Sequence, residues 1–162
     1  MKLRLAQIAH ARSGDKADIA DISLFAWEPL GYAVLTKHVT VAVVQKHFAH
    51  VWPEHAAASD ANLTVNSAVN SDLKSGVESF SESDSDADSL STAPQVTRYE
   101  LPNLLALKFV LRGALNGGAA SSLRSDNLGK TLGAQLLRLT IDVPDEQAQP
   151  VLQATEKVLA DF

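Results

Sequence analysis

The stretch "SDLKSGVESFSESDSDADSLSTAPQ", residues 71–95, constrains the fold more than any other part of the chain. It holds a single aromatic residue, Phe80, and few branched ones. A segment of this composition cannot bury enough apolar surface to offset the entropy of ordering it. The core must therefore come from the residues on either side, and about 55–94 are expected to form a disordered, solvated acidic insertion. Loop-closure entropy grows slowly with length, so an insertion of this kind costs the fold little. On this reading the 162 residues are one domain, 1–162, with enough chain for a single sizeable core.

The insertion also accounts for the charge. The net charge is −5, but residues 54–94 carry eight acids and one base, a net of −7, whereas the rest carries 11 acids and 13 bases, a net of +2. A nearly neutral or slightly basic folded part admits small anions as ligands. No stripe of Lys and Arg interleaved with aromatics occurs along the chain, so nucleic acid is not an expected partner. There is no cysteine, which excludes disulfides and thiolate metal sites. The apolar run of Met1–Ala11 is too short for a signal peptide. No stretch approaches the roughly 20 apolar residues of a membrane span, so a cytoplasmic protein with no membrane association is expected.

Patterning on both sides of the insertion is strong. Leu3, Leu5 and Ile8 suggest a first strand, and residues 21–27 ("DISLFAW") a second, with Ile22, Leu24 and Ala26 on one face. Thr40 is placed to cap a helix bearing Val41, Val44, Phe48 and Val51. Residues 96–101 ("VTRYEL") alternate as a strand. Pro102 and Asn103 are expected to open a second helix with Leu104, Leu107, Val110, Leu111 and Ala114 along one face, stopped by Asn116, Gly117 and Gly118. Residues 121–126 read as a short extended piece, 128–137 as a short helix and 137–143 as a final strand. An amphipathic C-terminal helix starts at Pro150, over about 150–161. The order ββαβαβ predicts an α+β fold, a ferredoxin-like sandwich whose mostly antiparallel sheet carries its helices on one face.

Several motifs resolve to simpler readings. "LGKT" (128–131) has the ending of a phosphate-binding loop, but such a loop needs a glycine five positions before Gly129, where Arg124 stands. His47, His50 and His55, with Glu54, invite a metal, yet they straddle a helix end beside the insertion and read as surface histidines. No metal and no cofactor is expected. Two glycine-bearing, donor-rich stretches remain, both read as loops. The first holds Arg12, Ser13, Gly14, Asp15 and Lys16. The second holds Asn116, Gly117, Gly118, Ser121, Ser122 and Arg124. Glycine lets backbone amides approach a ligand, and the cations draw it in. Together they are expected to border one cleft that binds a carboxylate or phosphate. The opposing reading makes the glycines simple turns and pairs Asp15 with Arg98 or Arg124.

These same stretches carry a resemblance. "AHARSGDKADIADIS" (9–23) together with "RYELPNLLALKFVLRGALNGGAASSLRSDNLGKTLGAQLLRLTI" (98–141) resembles the AtuA-like ferredoxin-fold family, over roughly residues 3–53 and 95–143. That domain looks like the C-terminal part of acyclic terpene utilisation protein A and also occurs as a small free-standing protein. Members usually read G-D-K-G and N-I-S in the first motif. Here Ala17 replaces the glycine and Asp21 the asparagine, while Ser23 is kept. The acidic insertion and the C-terminal helix are additions to the family pattern.

The resemblance implies a role beside acyl-CoA chemistry in the breakdown of acyclic terpenoids or branched acids, and a large partner chain like the rest of acyclic terpene utilisation protein A. It does not imply a reaction. An accessory subunit contributing the two loops to a shared site is the first expectation. An independent small enzyme acting on an acyl-CoA or hydroxy acid is the alternative, with Asp15 or His10 as acid/base and Lys16 and Arg124 holding the anion. A third alternative is a purely structural dimerisation module.

Overall fold

The computed structural model describes residues 1–52 and 95–161. The expected acidic insertion at about 55–94 lies outside them. Two antiparallel sheets carry the fold. A small one pairs β1 (Lys2–Arg4) with β6 (Thr140–Asp142). The larger has the order β2-β3-β5-β4, from β2 (Ala9–Lys16), β3 (Ile19–Ala26), β4 (Gln95–Leu101) and β5 (Ala106–Arg112). Among the described residues four α-helices complete it: α1 (Pro29–His38), α2 (Val41–His47), α3 (Leu132–Leu137) and α4 (Asp145–Ala160). The expected α+β architecture with antiparallel sheets is present.

Register decides which face of the large sheet is buried. Ile22 stands opposite Phe109 and Leu24 opposite Leu107, so the side chains of Ala20, Ile22, Leu24, Leu107, Phe109 and Leu111 share one face, and all are fully buried. They join Leu3, Leu5, Ile8, Leu35, Val44, Phe48, Leu136 and Val151 in one core. The opposite face carries His10, Arg12, Lys16, Tyr99 and Arg112, all exposed.

The largest departure from expectation is residues 102–115. A helix was expected there, but a 3-10 turn at Pro102–Leu104 is followed by Leu105 in the left-handed region (φ 49) and then by β5. Leu107, Phe109 and Leu111 alternate with Lys108, Val110 and Arg112, a period of two that the helical pattern Leu104, Leu107, Leu111 concealed. Tertiary pairing decides between them, because this strand lies between β3 and β4 and both its edges are hydrogen-bonded. The expected first strand is likewise split: Leu5–Gln7 form a 3-10 turn, and β2 begins at Ala9. The final strand is shorter than expected, and α4 begins five residues before Pro150, which sits inside it.

Helix α1 was not expected at all. Its apolar residues ring it, Leu30 and Ala33 outward and Val34 and Leu35 inward, so no stripe marks it in the sequence. Glu28 makes it possible. Its buried carboxylate caps the helix by accepting from the amides of Leu30 (2.7 Å) and Gly31, and Pro29 follows at the first helical position. Helix α2 starts as expected, with the Thr40 hydroxyl accepting from the amide of Val43 at 3.3 Å.

Candidate functional site

The first motif is not a loop. Arg12–Lys16 lie within β2, paired residue by residue with Ile19–Ser23, and the hairpin turns at Ala17 and Asp18. The pleat therefore sends the motif's side chains to opposite sides of the sheet. Ser13 and Asp15 face the helices, whereas His10, Arg12, Gly14 and Lys16 belong to the open face. Five positions apart on a strand, His10 and Asp15 stand on opposite faces.

Ser13 clamps α3 to the sheet. Its hydroxyl donates to the Lys130 carbonyl (3.1 Å) and accepts from the Gly133 amide (2.9 Å). A Cβ at Gly133 would stand 3.1 Å from the Arg12 carbonyl carbon, so glycine lets the helix approach the strand backbone this closely. Across the strand, a Cβ at Gly14 would stand 3.3 Å from Nζ of Lys130, which places that ammonium beside Arg12 and Lys16. Lys16 donates to the Asp15 carbonyl at 3.1 Å. Arg12 makes no hydrogen bond or ion pair with the described residues.

The hairpin tip and the second glycine segment do touch, chiefly through Asp18, which the sequence reading did not single out. Asp18 Oδ1 accepts from the Gly117 amide at 2.7 Å, and its carbonyl accepts from Leu115 at 3.4 Å. The available signal was an aspartate at a two-residue turn. Asn116 (φ 52), Gly117 (φ 89) and Gly118 (φ 70) are all left-handed, as a turn of this shape requires. Gly118 lies directly under Ala17: a Cβ there would stand 2.2 Å from the Ala17 carbonyl oxygen. Ala17 itself has φ 55, a conformation that favours glycine. Ser121 is exposed beside Gly117, and the Ser121 amide donates to the Gly118 carbonyl at 3.1 Å.

Arg124 is turned into the fold. Its guanidinium donates to the carbonyls of Ala114 (2.7 Å) and Val51 (2.8 Å), tying the second glycine segment to the end of the α2 region. Neither pairing considered for Asp15 forms. Arg98 instead pairs with Glu100 and donates to the carbonyls of Thr36 and Val39. Arg124, His50, Asp126 and Gln135 help to line a cavity of about 300 Å³, and no residue of the first motif reaches its wall. Asp126, in its wall, organises the adjoining "LGKT" turn. Burial pushes its carboxyl up, but the Thr131 hydroxyl, the amides of Thr131 and Lys130 and the Lys130 charge together hold it below its ordinary value. Gly129 (φ 59) is thus a turn glycine before α3. His47 is tied to the Gln135 carbonyl at 2.9 Å.

What the pleat does assemble is the open face. Arg12, Ser23, Lys108 and Tyr99 form one row across all four strands. Lys108 also pairs with Asp21 at 2.6 Å. In the next row His10 stacks on Phe25, centroids 5.1 Å apart and planes 12° apart, and tilts against Trp27 at 4.5 Å.

A family model, the AtuA ferredoxin-like domain, matches residues 3–142, which span both glycine segments, the whole four-stranded sheet and all of the small sheet but Lys2. The chain belongs to that family. Membership relates this AtuA ferredoxin-like domain to acyclic terpene utilisation. Helix α4 lies beyond the matched residues. Neither the curated proteins nor the solved structures gave a match to the domain. Among its described residues no helix is long and apolar enough to cross a membrane.

Proposed function

We propose that the domain is an accessory or subunit protein that completes a larger acyl-CoA-handling enzyme of acyclic terpenoid or branched-acid breakdown in the cytoplasm. The observation that carries this reading is the placement of the acid/base candidates. His10 and Asp15 lie on opposite faces of β2, and neither stands beside both cations assigned to hold the anion, because Lys16 is on the open face and Arg124 is turned onto the Ala114 and Val51 carbonyls. The family relation supplies the metabolic setting, and the exposed Arg12 and Lys16 supply contacts for a carboxylate or phosphate at a shared site. Asn116, Gly117 and Ser121 present the second segment at the hairpin tip, whereas Ser13, Gly14, Gly118 and Arg124 shape the backbone that holds both.

Affinity purification at native expression tests this. A large chain resembling the rest of acyclic terpene utilisation protein A should co-elute at fixed stoichiometry. Elution of the domain alone with turnover of an acyl-CoA or hydroxy acid would establish the independent enzyme instead. Elution as a bare, inactive dimer would leave it a dimerisation module.

A further inference from the structure

Basic and aromatic side chains far apart in the sequence converge on the open face of the four-stranded sheet. Arg12 on β2 and Lys108 on β5 flank Ser23 on β3, which is only 9% exposed between its two neighbouring strands. Lys16, Arg112 and the Lys130 ammonium add positive charge toward the hairpin end. By register, Asp21 is the one acid on this face among the described strand residues, and it neutralises Lys108 alone. The rings lie at the other end, two residues down the strand from the Arg12 row and so about 7 Å away. His10 there is exposed, with Phe25 and Trp27 half-buried against it.

We infer that this face binds a nucleotide carrying more than one phosphate, its ring against the His10–Phe25–Trp27 cluster and its phosphates on Arg12 and Lys108. A guanidinium such as that of Arg12, with no partner among the described residues, is suited to phosphate oxygens, and aromatic side chains stack on any nucleobase. The polarity of the face selects the ligand. A single strand of nucleic acid needs successive rings along a cationic track. Here three rings, His10, Phe25 and Trp27, gather at one end and most of the cations at the other, with Tyr99 the single ring in the Arg12 row, which suits one base and a cluster of phosphates. Two copies of the face would repel each other, so it does not suit self-association. The inference goes beyond the accessory role and does not depend on it.

Calorimetric titration of the full chain with ADP, coenzyme A, inorganic pyrophosphate and a ten-residue oligothymidylate tests the site, with amide chemical shifts locating each ligand. ADP or coenzyme A should bind, with shifts on Arg12, Phe25 and Lys108, and the tighter of the two identifies the source of the nucleotide. Arg12→Ala and His10→Ala, both exposed, should each weaken binding by about tenfold with the melting temperature unchanged. Asp21→Asn should tighten it, because Lys108 is released. No binding of either nucleotide, equal binding of pyrophosphate, tighter binding of the oligonucleotide, or indifference to Arg12→Ala would each overturn the inference. Co-elution of a large chain bears only on the accessory role, so the two readings fail separately.

Discussion

At the scale of single residues, the contact between Gly118 and Ala17 is the tightest glycine contact among the described residues. In Gly118→Ala the new Cβ would meet main-chain atoms, 2.2 Å from the Ala17 oxygen and 2.7 Å from its carbonyl carbon, and neither can swing aside. A loss of roughly 3 kcal/mol in urea unfolding is expected. Ala17→Gly should do the reverse, gaining roughly 1 kcal/mol by relieving a left-handed alanine. His38 sets a pH dependence. Its Nε2 is buried with no hydrogen-bond partner among the described residues, and burial, then the charge of Lys37, holds the imidazole below its ordinary value. Below about pH 6.5 the unfolded chain takes up a proton that the folded one resists, so stability is full above that pH and falls as pH drops toward the folded-state value. Thermal melts of His38→Gln should show a shallower decline from about pH 7.5 to about pH 5.5 than the parent. The glycine turn at 116–118 was legible from residue type alone. The roles of Ser13 and Arg124 were not, because their partners, Gly133 and Val51, are 120 and 73 positions away.

At the scale of elements, local capping and turn chemistry read correctly and period did not always do so. Thr40 marked α2, and Val96–Leu101 alternated as the strand they form. Residues 104–111 satisfied a helical and a strand pattern at once, and only their place between two strands separated the patterns. Pro150 misled in the other direction. Proline is favoured at a helix start, yet here it stands in the interior of α4, where it removes the hydrogen bond to the Glu146 carbonyl. It also lines an apolar groove with Leu30 and Val34 of α1. Pro150→Ala is expected to raise stability by roughly 1–3 kcal/mol, measured by chemical denaturation. A loss of stability instead would mean that the ring's packing on α1 outweighs the missing bond.

At the scale of the whole molecule, the core cluster of the described residues is drawn from both sides of the acidic tract. Replacing residues 57–93 with a short Gly/Ser linker should leave stability within about 1 kcal/mol, as judged by reversible melting. A cooperative loss of folding would show that the tract packs on the domain. The sequence by itself determined the α+β class and the family, since both are written in local periodicity and the order of polar and glycine positions. It also supplied the residues of the first motif, but as a loop aimed at one cleft. Only the tertiary structure decided that this motif is a strand, that Ser13 and Asp15 turn inward while His10, Arg12 and Lys16 turn outward, and that Lys108 and Phe25 join them. The physical reason is the pleat. Adjacent residues of a strand face opposite sides, and a residue's neighbours across the sheet are set by pairing register, which no local stretch of sequence records.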